Sequence, residues 1–233
     1  MIAPADVAAE IDRRLRALAS PRTAEVRALR RAYSTRLRRA PAADVLAIAR
    51  RLLDRRGNMH RFVAYELIAH HREARAAVKA RDLEWLGLGL DSWGTVDTFA
   101  VYVAGPAWRE GQVPDRVLHA WARAEDRWRR RAALVATVAL NTAARGGRGD
   151  SARTLAVCRL LVRDRDDMVV KALSWALREL AKRDAAAVRT FLRDYDVVLA
   201  ARVKREVGRK LATGLENPRR PGASSASPTR SGR

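Results

Sequence analysis

Residues 166–182 read Asp-Asp-Met-Val-Val-Lys-Ala-Leu-Ser-Trp-Ala-Leu-Arg-Glu-Leu-Ala-Lys, and this stretch decides the fold. Its apolar residues Val169, Leu173, Leu177 and Leu180 follow the i, i+4, i+8, i+11 spacing that places side chains on one face of an α-helix. The same helical period runs along nearly the whole chain, whereas the alternation and hairpin turns of β-strands are missing. The sequence therefore predicts an all-α protein.

Prolines, glycines and capping residues predict where the helices begin and end. Pro21 opens a helix that runs to about Tyr33, and Pro41 opens another that is closed by Gly57-Asn58. A further helix is expected around 59–70. Later helices are predicted to start at Ser92, Pro114 and Asp150, with turns at Gly105-Pro106, Gly111 and Gly146-Gly147. About ten to twelve short helices result.

The helices are expected to form antiparallel pairs that recur every ~35 to 45 residues. This pattern favours a HEAT-like helical-repeat solenoid over a four-helix bundle, and such a solenoid offers a concave, basic face for DNA. We expect a single repeat domain over 1–216, followed by a disordered basic tail over 217–233 that is rich in Ser, Pro and Arg. The tail contains four arginines, so leaving it out reduces the formal charge only from +21 for the whole chain to +17 for the remainder.

The chain is strongly basic. Its 233 residues include 47 Lys and Arg against 26 Asp and Glu, and only five of the basic residues are lysines. One interpretation is the codon bias of a GC-rich genome. The other is a polyanionic partner, because guanidinium groups bind phosphate in a bidentate manner.

Several classes of protein are excluded by composition. No uncharged apolar stretch is long enough to span a membrane, and the N-terminus lacks the apolar core of a signal peptide. A cytoplasmic, nucleoid-associated bacterial protein is expected, and we expect it to be a monomer. Cys158 is the only cysteine and the four histidines lack metal-ligand spacing, so no metal is predicted. The glycine pairs lack the strand context of a phosphate loop, and no nucleotide cofactor is predicted.

Tryptophan and charged side chains at unexpected positions indicate a functional site. In 166–182, a second stripe nearly opposite the apolar one contains Trp175 with Lys171, Arg178 and Lys182. Cations that bind phosphate around a flat ring are typical of a nucleic-acid surface. The alternative is that Trp175 packs against the next helix pair, since repeat helices bury two faces.

Two further segments carry the same residue types. After a predicted cap at Ser92, Trp93 and Asp97 stand at i and i+4 and share one helix face, where Asp97 is either functional or a salt-bridge partner. In 126–138, Arg131 falls on the same side as Trp128 and several apolar residues. An arginine in that position requires a carboxylate or a phosphate partner, because an unpaired buried charge is costly.

Three segments carry a family resemblance: Ser-Trp-Gly-Thr-Val-Asp at 92–97, Arg-Trp-Arg-Arg-Arg at 127–131 and Val-Lys-Ala-Leu-Ser-Trp-Ala-Leu-Arg-Glu at 170–179. In this order they resemble the AlkD-type DNA alkylation repair family, whose members are HEAT-like-repeat alkylpurine DNA glycosylases. The similarity runs from about Tyr33 to Lys210 and is strongest between Trp85 and Lys182.

The resemblance implies a hydrolase that removes N3- and N7-alkylated purines, such as 3-methyladenine and 7-methylguanine, from double-stranded DNA without a closed base-flipping pocket. It implies that Asp97 is the catalytic carboxylate, that Trp93 and Trp175 are aromatic walls, and that Arg131 contacts phosphate near the lesion. Trp128, Lys171, Arg178 and Lys182 are predicted to contact DNA as well. No lysine is placed as an obvious Schiff-base nucleophile near Asp97, so the enzyme is predicted to be monofunctional, without lyase activity.

Two other functions remain open at this stage. The chain is alternatively a non-catalytic HEAT-like binder of damaged or branched DNA, because fold alone does not assign function. The third hypothesis is a helical scaffold that binds proteins, for which DNA affinity would not depend steeply on salt.

Overall fold

The computed structural model describes residues 3–18, 22–55 and 57–215. This part of the chain is helical and contains no strand, which confirms the all-α prediction. Fourteen α-helical segments are present in it, more than the ten to twelve expected, because several connecting segments contain short helices of their own. They are α1 (Pro4–Arg16), α2 (Thr23–Arg36), α3 (Ala42–Leu53), α4 (Asn58–Ala69), α5 (Arg72–Ala77), α6 (Ala80–Leu86), α7 (Trp93–Phe99), α8 (Gly105–Arg109), α9 (Asp115–Ala122), α10 (Arg127–Asn141), α11 (Ser151–Leu160), α12 (Asp167–Ala181), α13 (Ala185–Asp194) and α14 (Ala201–Thr213).

The predicted helix starts agree with the structure. Ser92, Pro114 and Asp150 are the N-cap residues of α7, α9 and α11. The Asp150 carboxylate accepts a hydrogen bond from the backbone N–H of Arg153, as a capping side chain should. Pro21, predicted to open a helix, lies outside the described residues, and α2 begins at Thr23.

The helices are arranged as a repeat. The second helices of successive pairs begin at residues 58, 93, 127, 167 and 201, so the spacing is 35, 34, 40 and 34 residues. These helices, α4, α7, α10, α12 and α14, pack in series, each against the next. Between them lies a core of aliphatic and aromatic side chains, and from Arg131 onward every residue of α10 is buried. The arrangement is that of a helical-repeat solenoid.

Gly105-Pro106 does not form the predicted turn. The chain passes without a break from α7 through a π-helical turn, Ala100–Ala104, into α8. The Gly105 N–H bonds to the Ala100 carbonyl, five residues back, and Pro106 occupies the first turn of α8, where its missing N–H is tolerated. A Cβ at position 105 would come within 2.6 Å of the Ala136 carbonyl oxygen on α10, so glycine permits close packing of the two helices.

None of the described helices is long and apolar enough to cross a membrane. The tail predicted to be disordered, 217–233, lies outside the described residues, and the single domain over 1–216 stays a prediction.

Candidate active site

A cleft of about 390 Å³ opens where α7, α10 and α12 lie side by side. Each of these helices is the second helix of its pair, and the second helices of successive pairs pack side by side. Residues far apart in the sequence therefore meet on neighbouring helices. The residues that line the cleft are Trp93, Asp97, Arg131, Met168, Lys171, Trp175 and Arg178.

An ion pair between Asp97 and Arg131 lies at the base of the cleft. Arg131 Nε donates to Asp97 Oδ1 and Nη2 donates to Oδ2, both at 2.8 Å, which is the bidentate geometry of a strong charge-assisted pair. Nη1 of the same guanidinium donates to the backbone carbonyl of Met168 on α12. Arg131 thus links three successive second helices, and its partner on the apolar side of α10 is a carboxylate.

The pair is shielded from water. The Arg131 side chain is 7% exposed and that of Asp97 is 18% exposed. Burial raises the pKa of the Asp97 carboxyl above its ordinary value, while the hydrogen bonds and the charge of Arg131 act in the opposite direction. The arginine therefore offsets part of the effect of burial on this pKa, and it fixes the orientation of both oxygens.

The two tryptophans of the cleft differ in how they are held. Trp93 is 62% exposed at the start of α7, one helical turn before Asp97. Trp175 is half-buried and packs against the core while one part of its ring lines the cleft. The two hypotheses for Trp175, packing and surface contact, are both consistent with this position.

Two cationic side chains border the cleft on α12. Lys171 Nζ lies 2.6 Å from Asp167 Oδ2, and because that aspartate is exposed the pairing is weak. Arg178 Nε is buried and has no hydrogen-bond partner among the described residues, while the Arg178 side chain lines the cleft. The guanidinium can therefore face a ligand only through its other nitrogens.

Lys171 lines the same cleft as Asp97, and the prediction that no lysine acts there as a Schiff-base nucleophile stays a prediction. The two residues are 74 positions apart in the sequence and meet only through the packing of α12 on α10 and of α10 on α7.

Trp128 and Lys182, which sequence placed in the DNA-binding set, do not line the cleft. Trp128 is half-buried against the core, and the guanidinium of Arg127 lies 5.0 Å from its ring centroid. Lys182 directly follows the last residue of α12, and its Nζ donates to Glu179 Oε1 at 2.6 Å. A DNA contact by either side chain stays a prediction.

Met168 is the cleft residue that sequence reasoning missed. It precedes Lys171 by three residues and Trp175 by seven, so the helical period of the basic stripe already places it on the same face. It contributes part of the cleft wall and the carbonyl that accepts from Arg131. In the described residues, no group of three His, Cys, Asp or Glu side chains is arranged to hold a metal ion.

Comparison with known proteins identifies the family. The family model described as "DNA alkylation repair enzyme" matches residues 14–211 and so covers every residue of the cleft. No curated protein is found to match the chain. The chain belongs to the DNA alkylation repair enzyme family.

Proposed function

We propose that the protein is a monofunctional DNA glycosylase that hydrolyses the N-glycosidic bond of N3- or N7-alkylated purines in duplex DNA. The observation that carries this proposal is the cleft that brings a fixed carboxyl group, that of Asp97, together with two indole rings and the cationic side chains of Lys171 and Arg178. DNA alkylation repair is the activity of the family, and the glycosylase reaction is the chemistry for which these groups are suited.

The proposed reaction needs little acid catalysis. Alkylation at N3 or N7 gives the purine a positive charge, so the C1′–N bond breaks with its electron pair going to the base, which leaves neutral. The sugar acquires oxocarbenium character, water adds at C1′, and the added water loses a proton. Negative charge placed at the sugar therefore lowers the barrier most directly.

Asp97 supplies that charge in the proposal. Each carboxylate oxygen can accept two hydrogen bonds, so the bidentate contact with Arg131 leaves further lone pairs for the cleft. Arg131 is the more buried of the two side chains, and in this proposal the pair presents the carboxylate to the sugar. One fixed electrostatic group of this kind contributes about 3 to 4 kcal/mol to transition-state stabilisation.

The remaining cleft residues bind the substrate in this proposal. The rings of Trp93 and Trp175 hold the cationic nucleoside by cation–π and CH contacts, and Lys171 and Arg178 contact the flanking phosphates. Arg131 has its donors directed to Asp97 and Met168, so we assign it mainly to positioning the carboxylate, with a phosphate contact through its remaining N–H groups.

Lyase activity is not part of the proposal although a lysine lines the cleft. A Schiff base would require attack of the Lys171 amine on C1′, and this proposal assigns that side chain to a phosphate contact instead. Borohydride treatment of a reaction on abasic-site DNA should trap no protein–DNA adduct. A trapped adduct that disappears in Lys171→Ala would show the enzyme to be bifunctional.

The decisive experiment is base release from duplex DNA methylated at purine N3 and N7, without added metal. Wild type is expected to release free alkylpurine, and Asp97→Asn, which keeps the shape but not the charge, should lose about 100- to 1,000-fold in single-turnover rate, the loss expected for removing about 3 to 4 kcal/mol. Its affinity for the same DNA should remain within a few fold of wild type.

A matched control is Asp115→Asn, which removes a carboxylate from α9, outside the cleft, and should leave base release unchanged. If wild type releases neither methylated purines nor bulkier alkylpurines, the glycosylase proposal is wrong. Retained binding with a strong preference for branched DNA would then favour the non-catalytic binder.

A further inference from the structure

A second cavity lies at the loops before α4 and α7 and has no role in the proposed glycosylase reaction. It is about 560 Å³ in volume, and its functional side chains are Arg50, Asp54, Arg61, Trp85 and Asp91. It therefore combines two guanidinium groups, two carboxylates and an indole.

Arg61 is the most informative of these residues because it is only 7% exposed. Among the described residues, its one side-chain hydrogen bond runs from Nη1 to the Tyr65 hydroxyl oxygen at 3.4 Å, a long contact. Gly89, with φ +63°, passes over the guanidinium, and a Cβ there would lie 3.0 Å from Nη2. The fold thus holds a largely buried guanidinium against the cavity while its remaining N–H groups stay open to water or to a ligand.

The other charged groups of the cavity also form no ion pair within the described residues. The Arg50 guanidinium lies 5.6 Å from the ring centroid of Trp85 and has no carboxylate partner among the described residues. Asp54 and Asp91 are exposed and make no side-chain hydrogen bond within the described part of the chain. Two guanidinium groups and two carboxylates therefore line one cavity without forming an ion pair with each other.

We propose that this cavity is a binding site for an unpaired guanine ring. Guanine has acceptors at O6 and N7, which suit the fork of an arginine, and donors at N1 and N2, which suit a carboxylate. A planar ring can also stack on the exposed face of the Arg50 guanidinium, which Trp85 supports from below. A phosphate would satisfy the two arginines but not the two aspartates, and adenine offers no N1–H donor.

The site is distinct from the cleft. Asp91 lies two residues before Trp93, so the cavity borders the cleft region, but the two share no lining residue. In a base-paired duplex the N1 and N2 donors of guanine are engaged, so the cavity takes either a free guanine nucleotide or an unpaired guanine in a strand.

The test is equilibrium binding of the full chain to GMP and AMP by calorimetry, and to oligothymidylates with one central G or one central A. We expect at least tenfold preference for guanine. Asp91→Asn should reduce guanine affinity at least tenfold without changing binding of the adenine ligand. Arg61→Gln should do the same, and because its burial can affect folding, the exposed Asp91 variant is the primary test. Arg116→Gln, at an exposed arginine outside this cavity, should have no effect.

Comparing GMP with the G-containing oligonucleotide distinguishes a free nucleotide from a guanine within a strand. If a free nucleotide suffices, the two ligands bind with equal affinity. Equal affinity for guanine and adenine ligands, or stronger binding in Asp91→Asn, as a phosphate contact would give, overturns the proposal. The Asp97→Asn substitution leaves this cavity intact, so that variant should still bind guanine while it loses base release. Guanine binding and the proposed glycosylase function can therefore fail independently.

Discussion

The ion pair between Asp97 and Arg131 supports a quantitative prediction about stability. The substitution Arg131→Gln removes the bidentate donor and leaves the Asp97 carboxylate in a site where its side chain is only 18% exposed. A buried charge that has lost its partner costs about 3 to 5 kcal/mol. Because Asp97 keeps some contact with solvent, we expect the lower value, about 3 kcal/mol, or a decrease in Tm of roughly 6 to 12 °C for a chain of this length.

The loss should depend on pH in a defined direction. Burial already raises the pKa of Asp97, and removing Arg131 removes the largest opposing effect, so the pKa rises further. A carboxyl group whose pKa is higher in the folded protein binds more protons there than in the unfolded chain, and stability falls as pH rises through that interval. The Tm difference between Arg131→Gln and wild type should therefore be smaller at pH 5 than at pH 8.

The assay is urea unfolding of wild type, Asp97→Asn, Arg131→Gln and the double variant, analysed as a double-mutant cycle. The two amides of the double variant can bond to each other, so we expect a coupling energy of about 2 kcal/mol or more. Arg129→Gln is the matched control on the same helix, because its partner Glu84 is 57% exposed and the pair should be worth less than about 1 kcal/mol. A loss below about 1 kcal/mol in Arg131→Gln, or a coupling energy near zero, would refute the reasoning.

Three further predictions concern the cleft and the helix that positions it. Trp175→Ala and Trp93→Ala should each slow single-turnover release of alkylpurine by roughly 2- to 30-fold, the effect of losing about 0.5 to 2 kcal/mol of cation–π contact, and unchanged rates would remove both rings from the proposed site. Arg178→Gln should reduce the slope of log affinity against log salt for duplex DNA by about 1, measured by fluorescence anisotropy, whereas an unchanged slope would exclude a phosphate contact. Gly105→Ala should lower the free energy of unfolding by about 1 to 3 kcal/mol because its Cβ would overlap α10. The control is Gly208→Ala, where nothing lies within 4 Å of the added Cβ, and it should stabilise α14 by up to about 1 kcal/mol. Equal effects of the two substitutions in urea titrations would contradict the close packing of Gly105 against α10.

Much of the fold follows from local signals in the sequence. The helix starts at Ser92, Pro114 and Asp150 and the apolar stripe from Val169 to Leu180 are local features of the sequence, so they can be recognised without tertiary information. Of the three N-cap residues, Asp150 is the one whose side chain accepts a capping hydrogen bond. Gly105-Pro106 shows the limit. The dipeptide is typical of a turn, but contact with α10 and a preceding π turn keep the chain helical.

The candidate site was predictable in composition but not in connectivity. Helical spacing places Trp93 with Asp97, and Lys171 with Trp175 and Arg178, because each set lies on one helix face. That Arg131 pairs with Asp97, and that Lys171 reaches the same cleft, depends on how helices from three repeats align. No local spacing contains that information.

The π turn at Ala100–Ala104 makes this site respond differently to the loss and to the gain of one residue. A regular α-helix advances 100° per residue, and the π turn accommodates one extra residue without breaking the helix. Because the wide turn absorbs that residue, deleting one residue there would restore a regular helix and leave Asp97 in phase with Gly105, which is locked against α10. Adding a residue would instead rotate the segment with Trp93 and Asp97 by about 100° relative to Gly105 and turn Asp97 away from Arg131. Selection should thus tolerate the loss of one residue in this helix more readily than the gain of one.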